Sequence, residues 1–418
     1  LRIVIAAYAD KAYFFSMVPT AWALRAAGHE VRIATQPAMA GTAAETGLTV
    51  VPVGADHSFA DVLAYSRSHE DESFLDPFGE DADALTPEQL RQAYDLYVTW
   101  WWKLVNEPVV EDLVRFCGEW RPDLVLWEPH TFAGAIAAEA CGAAHGRFLW
   151  GLDLPARLRG LYAERAAAES SPDPLTQWLE ERAGAFGVEF STDLLLGQFS
   201  VHQLPEALRW RKLESGTHLS VRPVPYGGTA VLPAWAREDA VGRRILVDWG
   251  SWDRRGDGVA TLVDVVDASL LLGAEVVVLS PPSRTDGLPA LPEGVRVVDS
   301  GASHMLMGTA SLLVHGGGFD VACNALVEGV PQFVVVNSEL IDAAPLARAL
   351  REQGAARSLS PSEVLGTEAD ALLSGILADE ALREGAARLR DGALRAPAPD
   401  RIVADLERIA HARGSLSA

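Results

Sequence analysis

The sequence predicts an α/β chain with two doubly wound parallel sheets, and three observations carry that prediction. Apolar runs of strand length alternate with stretches apolar at helical spacing, this alternation occurs in two series, and the Pro- and Gly-rich "RPVPYGGTAVLPAWARED" (222–239) separates them. At 418 residues the chain exceeds one typical core of roughly 100–200 residues, so two domains are expected.

In the first series "RIVIAAYAD" (2–10) reads as a strand, "MVPTAWALRAAG" (17–28) as a helix closed by Gly28, and "HEVRIATQP" (29–37) as the next strand. Such a βαβ unit requires parallel pairing and a right-handed crossover. "AETGLTVVPVG" (44–54) adds a strand, and "PDLVLWEPH" (122–130), "FAGAIAAEACG" (132–142) and "AHGRFLWGLD" (144–153) repeat the order. Residues 56–120 form an insertion, first acidic, then aromatic and helical after Thr86-Pro87-Glu88.

The second series runs through "RRILVDWGS" (243–251), "ATLVDVVDASLLLGAEVVVLSPP" (260–282), "GVRVVDS" (294–300), "SLLVHGGG" (311–318) and "VPQFVVVN" (330–337). The expected division is a first domain over 1–221, a linker over 222–240, a second domain over 241–399 and a last helix over 400–418 able to pack on either domain.

A formal net charge of −22 without a Lys/Arg-rich block excludes a nucleic-acid backbone or an anionic membrane surface as the expected partner. Cys117, Cys141 and Cys323 stand far apart and outside any CxxC arrangement, against a disulfide framework or a structural zinc site. The apolar run at the start has no signal-peptide n-region, and no 18 consecutive apolar residues occur, so a cytoplasmic protein is expected.

"HGGGFDVACNALVEGVPQF" (315–333) leads three glycines into a helix, the arrangement in which backbone N–H groups and a helix dipole bind an anion. Phe319 and Asp320 depart from it. Phe319 is bulky where the backbone is expected to need glycine, and Asp320 puts a carboxylate where an anion would sit or caps a helix beginning near Val321.

Two Rossmann-like domains with a His-Gly-Gly turn in the second resemble the GT-B glycosyltransferases. "VPTAWALRAAGHEVRIATQPA", "TGLTVVPVGAD", "WRPDLVLWEPHTFAGAIAA", "LWGLD" and "HGGG…VEGVPQF" look like the glycosyltransferases of macrolide and aromatic polyketide antibiotic pathways. The resemblance implies two domains facing across a cleft, a polyketide acceptor in the first and a dTDP-deoxysugar in the second. It further implies inverting O- or C-transfer, no cofactor beyond the dTDP-sugar co-substrate, no metal, a cytochrome P450-like auxiliary protein as partner, and a homodimer.

Residues carried over from the resemblance show where the chain departs from the family. The general base, a histidine six residues before the Pro of a "VPLAW"-like string, corresponds to Tyr13, a poor proton acceptor near pH 7. Asp10 and Asp153, each after a strand end, are the replacement bases or else loop and cap residues. Donor contacts are expected from Gly250, Ser251, His315, Gly316, Gly317, Gly318, Asp320 and Glu339, with bulky Trp249 and Trp252 beside the first two and Arg254 and Arg255 as nearby positive charge. His304, in the expected base-binding loop, reads as a surface residue.

Acceptor contacts are expected from Trp100, Trp101 and Glu128. Adjacent tryptophans in a helix point about 100° apart, so Trp100, Trp101 and Trp102 divide between core and cleft. Two functions remain open: sugar transfer, or a GT-B homologue that has lost it and acts on the polyketide as a cyclase, another tailoring enzyme or a non-catalytic auxiliary protein.

Overall fold

The computed structural model describes residues 1–59, 61–62, 77–78, 84–166, 173–210, 216–237, 242–252 and 257–416. Two compact units result. The N-terminal unit takes Leu1–Leu204, Arg209–Arg222 and Pro397–Ala418, and the C-terminal unit takes Pro205–Leu208 and Pro223–Ala396.

The N-terminal unit is built on seven strands: β1 (Arg2–Ala6), β2 (Glu30–Thr35), β3 (Thr49–Pro52), β4 (Leu124–Trp127), β5 (Ala144–Leu149), β6 (Phe199–His202) and β7 (Thr217–Ser220). Their order is β3-β2-β1-β4-β5-β6-β7, and every neighbouring pair is parallel. The C-terminal unit has β8 (Arg244–Asp248), β9 (Glu275–Ser280), β10 (Arg296–Asp299), β11 (Leu312–His315), β12 (Gln332–Val335) and β13 (Ala356–Leu359). Its order β10-β9-β8-β11-β12-β13 is likewise all parallel.

Parallel strands are covered by helices on both faces, so they read as continuous apolar runs. Every residue of β4, β5, β8 and β11 is buried. In the C-terminal unit alternate residues serve opposite cores: Ile245, Val247, Val276 and Val278 lie in one, and Leu246, Val277 and Leu279 in the other. The proline-rich segment contributes Ala230, Leu232, Trp235 and Ala236 to this second core.

Two elements differ from the expected ones. The first helix is Lys11–Ala26 and runs through Pro19, so it begins six residues before the apolar periodicity does. Asp10 makes the early start possible by accepting from the free N–H groups of Ala12 and Tyr13. Three adjacent tryptophans fall in a π-helical stretch, Val98–Lys103, rather than in regular α-helix. It follows the helix Pro87–Tyr97, which Thr86 and Gln89 open with a capping box. No helix among the described residues is long and apolar enough to cross a membrane.

Each sheet changes winding direction once, between β1 and β4 and between β8 and β11. Ligands of open α/β sheets bind outside the C-terminal ends of the strands at such switch points. Candidate chemistry therefore belongs after Ala6 and Trp127 in one unit, and after Asp248 and His315 in the other.

Candidate active site at the two switch points

After β1 and β4 the chain assembles a column of rings. Phe59 lies on Trp101 at 5.6 Å, Trp101 on His130 at 4.1 Å, His130 on Tyr13 at 5.8 Å and Tyr13 on Trp150 at 4.2 Å, all within 24° of parallel. Tyr8 meets Tyr13 edge-on at 5.5 Å, with His57 at 5.6 Å on another side. Such offset stacks contribute roughly 0.5–1.5 kcal/mol per pair beyond burial.

Around His130 and Glu128 the polar atoms are held by hydrogen bonds. His130 Nδ1 accepts from Trp102 Nε1–H at 3.0 Å, and burial pushes its pKa down to about 3, so the ring is neutral with the proton on Nε2. That nitrogen lies 3.8 Å from Glu128 Oε1. Glu128 Oε2 accepts from the His130 backbone N–H at 3.0 Å and from the Thr131 hydroxyl at 3.1 Å, while Oε1 accepts from Trp150 Nε1–H at 3.4 Å. Complete burial outweighs these three bonds and, aided by the charge of Asp10, raises the Glu128 carboxyl to about 8.

After β8 and β11 the construction is different. Asp248, buried, accepts from the Gly250 N–H at 3.3 Å, the Ser251 N–H at 2.9 Å and the Ser251 hydroxyl at 2.5 Å. Ser251 Oγ in turn accepts the Gly316 N–H at 2.9 Å, and Asn337 Nδ2 donates to Ser251 O at 2.9 Å. Asn337 N–H bonds Gly316 O at 2.9 Å, and Asn337 Oδ1 accepts from the Glu339 N–H at 2.9 Å. Three loops are thus tied into one platform. Burial, reinforced by the nearby Asp320 charge, raises Asp248 to about 6.

No side chain fits in the turn of this platform. A Cβ on Gly316 would lie 2.0 Å from Ser251 O, one on Gly317 2.4 Å from the Ala343 Cβ, and Gly317 has φ +106°. His315 is fully buried: Nδ1 accepts the Gly317 N–H at 3.2 Å and Nε2 donates to Gln332 Oε1 at 3.0 Å. Burial lowers its pKa to about 4, so it shapes the turn as a neutral ring. The helix Phe319–Glu328 starts from Gly318, which offers no side-chain cap, and directs its positive end at the turn.

Comparison with known proteins supplies the family. The model of the erythromycin biosynthesis protein CIII-like N-terminal domain matches residues 22–250, and that of the C-terminal domain matches 263–409. The chain belongs to this family of glycosyltransferases. It is 38% identical over 420 residues to the erythronolide mycarosyltransferase of Saccharopolyspora erythraea, covering 98% of this chain and 99% of that one. Identity is also 38% over 435 residues to the aklavinone 7-beta-L-rhodosaminyltransferase of Streptomyces galilaeus, covering 98% and 96%. The crystal structure of glycosyltransferase VinC in complex with dTDP superposes with a TM-score of 0.83 at 30% identity, over 98% of this chain and all of that one. The protein is a GT-B glycosyltransferase of antibiotic biosynthesis.

Within this glycosyltransferase the expected site residues divide between ring column and platform. Tyr13, Trp101 and Glu128 meet in the ring column, while Trp100 stands outside it, 48% exposed. Asp10 caps the first helix. Asp153 caps the helix Leu154–Arg165 and pairs with Arg147 NH1 at 2.8 Å. Gly250, Ser251, His315, Gly316, Gly317, Gly318 and Glu339 lie in or beside the platform. Trp249 and Trp252 point away into the core, bonding the carbonyls of Arg284 and Gly258. His304 is half-buried in the helix Ser303–Leu306, and Arg254 and Arg255 lie outside the described residues.

Two expectations about the turn are corrected. Phe319 needs no glycine conformation: among the described non-glycine residues only Arg121 has positive φ, and the Phe319 ring is packed away at 8% exposure. Asp320 is not the cap, because the helix begins at Phe319, which makes Asp320 the exposed second residue of its first turn. Sequence reasoning missed Asp248, Asn337, His130 and Trp150. Asp248 ends β8, and His130 and Asn337 stand shortly after β4 and β12, so all three were open to a reading by strand end, whereas the stacking of His130 and Trp150 on Tyr13 had no signal in the linear order.

Proposed function

We propose that this glycosyltransferase moves a deoxysugar from a dTDP-sugar to a polyketide acceptor with inversion at the anomeric carbon. The observation that carries the reading is the platform of Asp248, Ser251, Gly316 and Asn337, which keeps the glycine turn in shape at the start of a helix whose amino end suits a diphosphate. The relatives' names support the substrate classes, and the dTDP bound to VinC supports the nucleotide.

In this reading the acceptor hydroxyl attacks the sugar C1 while the C1–O bond to the diphosphate breaks, and the leaving charge settles at the uncapped amino end of the helix Phe319–Glu328. The hydroxyl proton needs an acceptor. Asp10 is engaged in capping the first helix, and Asp153 in capping its own helix and pairing with Arg147. Glu128, with its carboxyl at about 8, has the matched affinity, and Tyr13 orients the hydroxyl. Trp101 Nε1, buried without a hydrogen-bond partner among the described residues, takes a polar atom of the acceptor. A cytoplasmic location belongs to the same proposal and suits three free cysteines.

The test is calorimetric titration with dTDP followed by incubation with dTDP-deoxysugars and macrolide or anthracycline aglycones. Micromolar dTDP binding with a new glycoside by mass spectrometry is expected; absence of dTDP binding at millimolar nucleotide overturns the proposal.

A further inference from the structure

Trp101, Trp102, Tyr13 and Asn106 together fix the position of His130. Trp101 and Trp102, adjacent in the π-helical stretch, reach the imidazole by face and by edge: Trp101 stacks on it at 4.1 Å, and Trp102 Nε1–H donates to Nδ1 at 3.0 Å. Single π-helical turns inside longer helices recur at functional sites. Tyr13 lies against the ring at 5.8 Å. Asn106, fully buried, donates to Trp102 O and His130 O at 2.7 Å each and accepts the Ala133 N–H at 2.8 Å, which ties the stretch to the loop after β4. The imidazole therefore keeps one orientation and one tautomer, with its proton on Nε2. That nitrogen lies 3.8 Å from Glu128 Oε1, which is roughly 1 Å beyond hydrogen-bonding distance. Oε1 has one other donor, Trp150 Nε1–H at 3.4 Å, whereas Oε2 accepts from both the His130 N–H and Thr131. A small turn of the carboxyl closes the gap, because its terminal torsion is soft.

We propose, on the reading of Glu128 as the proton acceptor, that His130 is its positioning residue: Nε2–H bonds Oε1 of the ionised carboxylate and holds it in place to take the hydroxyl proton. A hydrogen bond to a charged oxygen is stronger than one to a neutral carboxyl, so the contact favours the ionised form. The acceptor's proton passes to Glu128, and His130 keeps its own throughout. Burial prevents the ring from taking a second proton, with its pKa down at about 3. The other ionisable groups around the carboxyl do not supply this help. Asp10 adds negative charge, and the buried Tyr8 phenol is itself held well above its ordinary range. Tyr13 stacks on Trp150, and His57 stands beyond Tyr8 at 5.6 Å.

The experiment measures kcat against pH for the full chain and for two variants that separate the roles of the ring nitrogens. His130→Asn keeps an oxygen for Trp102 Nε1–H and loses the donor to Glu128. Its rise in rate should move up by about one pH unit, with kcat near pH 7 about tenfold lower, recovery at higher pH and an unchanged acceptor KM. His130→Gln keeps a donor for Glu128 and loses the partner of Trp102, and its midpoint should stay in place. A purely structural role would lower the thermal midpoint of either variant without moving the pH profile. NMR of the unsubstituted chain with nitrogen-labelled histidine rings reads the contact even where a variant fails to fold. The His130 Nε2 signal should shift with the ionisation of Glu128 and cease to do so in Glu128→Gln. An unmoved midpoint in His130→Asn, equal shifts in both variants, or an Nε2 signal indifferent to Glu128 overturns the proposal. Full kcat in Glu128→Gln instead overturns the reading of Glu128 as proton acceptor, while the Nε2 signal still decides whether the two residues meet.

Discussion

At the ends of β1 and β4 the polar atoms are side chains held between aromatic rings, whereas at the ends of β8 and β11 they are largely backbone groups tied together by Ser251 and Asn337. The ring column can be altered one side chain at a time without bending the chain, because each member arrives on a separate loop or helix. The platform has no such freedom: a single Cβ on Gly316 would fall 2.0 Å from Ser251 O. This explains why the departure at Tyr13 is accommodated by stacking on Trp150 and His130, while the glycines at 316–318 are all present.

Gly316→Ala is the most direct attack on that contrast. It should destabilise the C-terminal unit by several kcal/mol and weaken dTDP binding about 100-fold or more, read by calorimetry and thermal unfolding. Glu128→Gln strikes the other cluster. It should lower kcat by roughly 10²–10³-fold, abolish the rise in rate through pH about 8, and leave dTDP affinity unchanged.

The stability of the same variant tests the sign of that shift. A carboxyl raised in the fold binds its proton more tightly than in the unfolded chain. The native Glu128 contribution is therefore present below the ordinary glutamate range and lost as pH rises towards about 8. Glu128→Gln should flatten this decline in a denaturation series across pH, and an unchanged slope would remove the case for a neutral carboxyl.

Ser251→Ala removes the hydroxyl shared by Asp248 and the Gly316 N–H. A loss of about 1–3 kcal/mol in stability and roughly tenfold in dTDP affinity is expected, with acceptor KM unaffected. Trp101→Phe keeps a ring against His130 but removes Nε1, so acceptor kcat/KM should fall about three- to tenfold at constant dTDP affinity. Asp320→Thr should have the smallest effect. Its carboxylate is exposed, and removal should raise dTDP affinity about two- to fivefold, less at high salt.

Strand runs, glycine stops and the capping box at Thr86 were legible because they depend on neighbours in the chain. The first helix start was not: Asp10 overrides the absence of apolar periodicity between Lys11 and Ser16. "HGGG" was legible as a turn, since Gly317 needs its left-handed backbone whatever surrounds it. Phe319 was misjudged because local pattern cannot say that its neighbour at 317 already absorbs the unusual conformation.

By itself the sequence determined two parallel sheets, their switch points and the glycine turn, because hydrophobic period, capping and backbone freedom act over a few residues. Only the tertiary structure decided that Tyr13, Trp101, His130 and Trp150 form one column, that Asp248, Ser251, Gly316 and Asn337 form one platform, and that burial drives Glu128 towards neutrality. Burial and pairing arise between residues distant in the chain, and desolvation is a property of the packed surroundings rather than of any local string.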